Sequence, residues 1–216
     1  MVVPYGSSEI IRVCMEKKLL DCAVTVCEGA GTVITANPSL VQAIGARLTG
    51  IIKTSPIKGI IEHIKNEKGI ILNEASAKID QAEGVLKAAN LGYKRVAVTV
   101  ASFLSESMEK VRRIEGERGI KVAIFSVCNT CAGSKDAERI LSYADIVCAS
   151  ASRLIRERVA PKALMQLGVT IPVFALTELG KNLILAYLEK FKDKLVIFRT
   201  SKLPYQVEGK GPKIEG

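Results

Sequence analysis

Tryptophan is absent from this sequence, histidine occurs once, and aromatic residues make up only 5% of the chain. A single histidine excludes a His-rich metal site. His63 also stands beside Glu62 inside a helical stretch, where it reads as a surface residue and not as the base of a catalytic triad. No apolar run approaches the ~18 residues of a membrane span. The first residues, MVVPYGSSEIIRVCMEKK, lack the basic-then-apolar order of an export signal, so the expected location is the cytoplasm. Neither a GxGxxG fingerprint nor a Walker motif occurs, and the one CxxC has no second CxxC to complete a zinc-ribbon pattern.

What is present is aliphatic and basic. Hydrophobic residues make up 48% of the 216, and the near absence of aromatics leaves a core of Ile, Leu, Val and Ala, as parallel sheets prefer. The formal net charge is +9, which permits anionic ligands. Lys and Arg are interspersed with Glu, as in EKFKDK, and form no long basic block. That dispersal, with no recognisable binding motif, argues against nucleic acid.

The chain reads as helices alternating with short buried strands. The organising stretch is Lys121 to Gly133, KVAIFSVCNTCAG: a near-continuous apolar run, as expected of a strand covered on both faces, followed by a helix from about Ser134. Further strands are predicted at Cys22–Cys27, Gly69–Leu72, Arg95–Val100, Asp145–Cys148, Val169–Leu176 and Leu195–Phe198. Helices are expected at Ser8–Lys18, from Asn37-Pro38 through Leu48, at Ile57–Lys65 behind a Ser55-Pro56 cap, at Ala75–Asn90, Ser105–Glu117 and Glu178–Lys192, and over Arg153–Leu167, where Pro161 must break or kink it. This alternation predicts a single three-layer α/β/α domain over residues 1–201, with a mostly parallel, doubly wound (Rossmann-like) sheet. The Pro-, Gly- and Lys-rich residues 202–216 read as a flexible tail. A homodimer is expected on the general prevalence of symmetric dimers.

All strands of a parallel sheet end on one edge, and ligands of open α/β sheets bind there. Cys27, Cys128 and Cys148 each close a predicted strand, and Cys131 follows Cys128 by three residues. Three readings stay open. The four thiols could converge as ligands of an iron–sulfur cluster or zinc. Cys128 and Cys131, just ahead of a helix, could be a redox dithiol. Small apolar thiols could also simply fill tight strand ends.

A second feature is the loop Glu28–Thr32, whose Gly29 and Gly31 would let backbone approach a ligand closely. Lys53, Thr54 and Ser55 precede a predicted helix start. Gly29, Gly31, Thr32, Lys53, Thr54 and Ser55 therefore form a candidate site for a small phosphorylated or carboxylated ligand, against the plainer reading of a turn and a capped helix.

The stretch Cys27–Ile57, CEGAGTVITANPSLVQAIGARLTGIIKTSPI, with ADIVCASASRLIRE (Ala144–Glu157) and IPVFALTELGK (Ile171–Lys181), resembles the methanogenesis marker protein 8 family. The resemblance runs from about Ser8 to Leu188. It implies an uncharacterised archaeal protein that accompanies methane metabolism, with a protein partner there, and it carries over no catalytic residue. It also implies that a segment preceding the position of Ser8 in relatives is missing here or supplied by another protein. The anaerobic setting it implies would suit an oxygen-sensitive cluster.

Overall fold

The computed structural model describes residues 6–45, 50–192 and 194–209. Among these, eight strands form one mixed sheet: β1 (Cys22–Cys27), β2 (Gly31–Thr35), β3 (Ile70–Ile71), β4 (Arg95–Ala101), β5 (Lys121–Val127), β6 (Ile146–Cys148), β7 (Met165–Leu167) and β8 (Val173–Ala175). Their order is β3-β2-β1-β4-β5-β6-β8-β7. The four middle strands, β1, β4, β5 and β6, are parallel. On either side pairing turns antiparallel, β2 on β1 and β3 on β2 at one end, β8 on β6 and β7 on β8 at the other.

The helices are α1 (Ser7–Glu16), α2 (Pro38–Gly45), α3 (Lys58–Asn66), α4 (Gln81–Asn90), α5 (Glu106–Arg118), α6 (Ser134–Tyr143) and α7 (Glu178–Leu188). The middle strands are buried on both faces. On one face Val96, Val98 and Val100 of β4 and Val122 and Ile124 of β5 join Val85, Met108, Val111 and Ile140 from α4, α5 and α6. On the other, Ala97, Ala123 and Phe125 meet Ile10 and Cys14 of α1 and Ile184 of α7. The alanines keep that second face shallow, and the Cys14 thiol there reaches the Leu183 carbonyl at 3.4 Å. This double coverage is why the β5 run shows no polar alternation.

Local signals explain several boundaries. Asn37 accepts hydrogen bonds from the Ser39 and Leu40 amides at 2.9 and 3.3 Å, so proline opens α2 behind a side-chain cap. Asp80 caps α4 through the Glu83 amide at 3.0 Å, so that helix starts six residues later than its apolar period suggests. Leu48 lies outside the described residues.

Several expectations are corrected. Gly31 and Thr32 belong to no loop: Thr32-Val33-Ile34-Thr35 is a β-branched run that folds back on β1 as a hairpin. Ser55 does not cap α3, whose amino end is Ile57 without a side-chain cap. The helical stretch expected over Arg153–Leu167 does break at Pro161, as a π-turn (Ile155–Val159) and a 3₁₀ turn (Ala160–Lys162), but it ends there, and Met165–Leu167 is the strand β7. Leu195–Phe198 is not a strand. Its side chains are exposed, Val196 to 87%. Much of the expected mobile tail, residues 210–216, lies outside the described residues; Tyr205, however, is tied to β7 by reciprocal hydrogen bonds with the Gln166 amide at 2.8 and 2.9 Å.

Candidate functional site

The carboxyl ends of β4, β5 and β6 lie side by side, and their loops are tied to one another. After β4, the Ser102 hydroxyl donates to the Cys128 carbonyl at 3.2 Å, and the Ser105 hydroxyl donates to Asp136 at 2.7 Å. After β5, Asn129 is fully buried. It accepts from Ser126 Oγ at 2.9 Å and donates from Nδ2 to the Cys148 carbonyl at 2.7 Å. Its main-chain N–H donates to Ser150 Oγ at 3.1 Å. After β6, the Arg156 guanidinium donates to the carbonyls of Ser150 (2.9 Å), Ser152 (3.0 Å) and Thr170 (3.3 Å). Burial lowers the Arg156 pKa below its ordinary value.

Two residues of this edge hold left-handed backbone without being glycine: Cys128 at φ +52° and Ser150 at φ +51°. Such geometry costs energy and persists only where the surroundings impose it, which is common at functional sites. Between these two residues Asn129 bridges the strand ends.

The amino end of α1 arrives at the same edge. Ser7 Oγ lies 2.9 Å from Cys148 Sγ, and no side chain caps the helix. Glu9, in its first turn, accepts from Gln42 Nε2 at 2.9 Å. The Cys148 thiol retains some exposed surface but is densely surrounded by protein; burial pushes its pKa up to about 11, opposed by the Ser7 hydrogen bond. It is therefore a neutral thiol near neutral pH.

The segment from Gly50 to Ile57 crosses this edge. A Cβ on Gly50 would stand 3.1 Å from Cys128 Sγ. Further along, Thr54 Oγ1 accepts the Gly29 amide at 2.8 Å, and the Ile57 amide donates to the Gly29 carbonyl at 2.9 Å. One stretch of chain thus joins the end of β5 to the hairpin turn after β1. Lys53 and Ser55 project from it, exposed.

The candidate residues fall into three groups. Cys128 and Cys148 share the tied edge, with Lys53, Thr54 and Ser55 on the segment that crosses it. Cys27 packs with the hairpin cluster of Ala30, Val33 and Leu40, with β4 between its strand and β5, and burial raises its pKa; Cys131 is exposed on the loop before α6. Gly31 and Thr32 serve the fold. A Cβ on Gly31 would meet the Ala77 carbonyl at 2.2 Å, and the buried Thr32 hydroxyl donates to Gln81 and accepts the Asp80 amide, both at 2.9 Å. Among the described residues no three His, Cys, Asp or Glu side chains come together as metal ligands. No disulfide joins any cysteine.

Asn129, Ser7 and Arg156 carry the site's geometry without a motif to announce them. Asn129 lies inside CNTC, and Ser150 in the small-residue run after β6, but their pairing exists only because β5 and β6 are neighbours.

These features define an α/β protein whose parallel middle strands gather cross-tied loops at their carboxyl edge. The chain belongs to the family described as "Uncharacterized protein conserved in archaea (DUF2099)", whose model matches residues 1–189. It is similar to "Uncharacterized protein MJ0054" of Methanocaldococcus jannaschii, with 43% identity over 192 residues, 89% of this chain and 66% of that relative. The chain thus spans slightly less than two thirds of the curated relative it matches.

Proposed function

We propose that the carboxyl edge between β5 and β6 binds a small phosphorylated or carboxylated metabolite, within a three-layer Rossmann-like frame and without a bound metal. The observation that carries this reading is the Asn129 bridge between two strand ends whose Cys128 and Ser150 hold left-handed backbone, beside the uncapped amino end of α1. Lys53, on the segment crossing the edge, supplies positive charge. The resemblance over Cys27–Ile57 supports a further reading, that the protein serves archaeal methane-associated metabolism as an accessory component.

Thermal unfolding in inorganic phosphate, pyrophosphate and succinate tests the ligand reading. At least one anion raises the melting temperature, by an amount equivalent to about 2.7 kcal/mol at a hundredfold excess over Kd. Lys53→Glu and Ser7→Asp, which place negative charge at the edge, remove that response. A flat response to all three anions overturns the proposal. Stoichiometric iron or zinc in anaerobically purified protein, lost on Cys128→Ser, would favour the cluster instead.

A further inference from the structure

A cavity of about 720 Å³ lies away from the edge described above, between β7, α7 and the chain that follows α7. That volume falls within the roughly 300–1,000 Å³ of small-molecule sites. Its outer wall is a strap, residues 194–205, beyond the residues that the family model matches. The strap is anchored. The Gln166 side chain donates to the Gly168 carbonyl at 2.9 Å and exchanges two hydrogen bonds with the Tyr205 backbone. Phe198 packs edge-on against Tyr205, ring centroids 4.9 Å apart.

Two properties of the lining define what fits. It is apolar: Leu164, Leu167 and Leu188 on the sheet and α7 side, Leu195, Val196 and Phe198 on the strap. Leu164, Val196 and Phe198 are 49%, 87% and 56% exposed, so apolar surface faces solvent with nothing over it among the described residues. The lining is also cationic, with Lys181, Lys194, Arg199 and Lys202, and no Asp or Glu stands among the described lining residues. Among the described residues, only Lys181 of these four has a carboxylate neighbour, Glu178 at 3.4 Å.

We propose that this cavity binds a small amphiphilic anion, an aliphatic chain ending in a carboxylate or phosphate. The chain replaces water on the leucines and the strap; the head group meets the lysines and Arg199. Chains without a head group waste the cations, and inorganic anions waste the apolar wall.

Competition with anilinonaphthalene sulfonate, followed by its fluorescence, tests this on the full chain. The absence of tryptophan leaves that signal clean. The competitors are dodecanoate and dodecyl phosphate below their micellar concentrations, with dodecanol and inorganic phosphate as controls. Either amphiphilic anion displaces the dye, and the controls do so at least about tenfold less well, a difference of about 1.4 kcal/mol. Arg199→Glu with Lys202→Glu weakens the amphiphiles by a similar factor, and Val196→Asp does so independently. Circular dichroism checks that the variants fold. Equal displacement by dodecanol, or affinities unmoved by the charge reversals, overturns the proposal. It is overturned too if Val196→Asp converts a dimer to a monomer on gel filtration, because a second copy then covers the strap. Binding to anionic vesicles without binding to monomeric dodecanoate would make the patch a membrane contact and would also overturn it.

Discussion

Asn129 concentrates the design of the edge in one side chain. It is buried, and its carboxamide satisfies a hydroxyl on its own strand and a carbonyl on the next. Replacing it with alanine leaves Ser126 Oγ and the Cys148 carbonyl without those partners and opens a small void. The expected cost is about 2–4 kcal/mol, read as a lower urea midpoint at unchanged m-value. The same variant should lose any stabilisation by anions, because the side chain no longer ties the end of β5 to the Cys148 carbonyl at the end of β6. A variant that loses stability but keeps the full anion response would mean that Asn129 serves only the fold. At this scale the sequence shows residue types and not partners. Thr32, a plausible ligand when read in a glycine loop, spends its hydroxyl on Gln81 and Asp80, because the loop is a hairpin turn and the strand β2 carries Thr32 inward.

At the scale of elements, α5 is locked to the start of β5 and β6 by a buried ion pair. Arg112 meets Asp145 at 2.6 Å and also donates to the carbonyls of Tyr143 and Val122 and to Glu115. Asp145 in turn accepts the Ile124 amide at 2.8 Å and the Thr177 hydroxyl at 2.7 Å. With its partners numerous and its carboxylate 4% exposed, removing one side of the pair strands the other. Asp145→Ala should therefore cost about 3 kcal/mol, and Arg112→Lys part of that, since an ammonium cannot reproduce the forked contacts to two carbonyls and two carboxylates. Chemical denaturation of both variants checks this; a change below about 1 kcal/mol for Asp145→Ala would show the network to be energetically idle. Strong periodicity made α5, α6 and α7 legible in the sequence. The break at Pro161 was legible too, but the edge strand β7 beyond it was not, because pairing with β8 leaves no mark on local composition.

For the molecule as a whole, the buried thiols set an alkaline limit on stability. Burial pushes the pKa of Cys14 and of Cys22 up to about 12, and of Cys148 to about 11, against an ordinary value of 9.0. Below pH 9.0 these thiols are protonated in both folded and unfolded chains, and their contribution is intact. Above it the unfolded chain releases protons that the folded chain retains, so stability falls as pH rises toward 11–12, by about 1.4 kcal/mol per pH unit for each thiol. Cys22→Ala should flatten the slope of stability against pH between 9 and 11 by one proton, whatever it does to stability at neutral pH; an unchanged slope would count against that burial. The buried β5 run and the wide alternation of helices and strands made an α/β protein with a parallel middle readable from the sequence alone, because both depend on local periodicity and on how many faces a strand buries. So was the shared carboxyl edge, since every parallel strand ends on the same side. Which strands neighbour each other was not, nor the antiparallel flanks, because strand order follows from packing between distant segments and leaves no mark on local pattern. That order alone placed Cys128 beside Cys148, left Cys27 beyond β4, and gave Asn129 its partners.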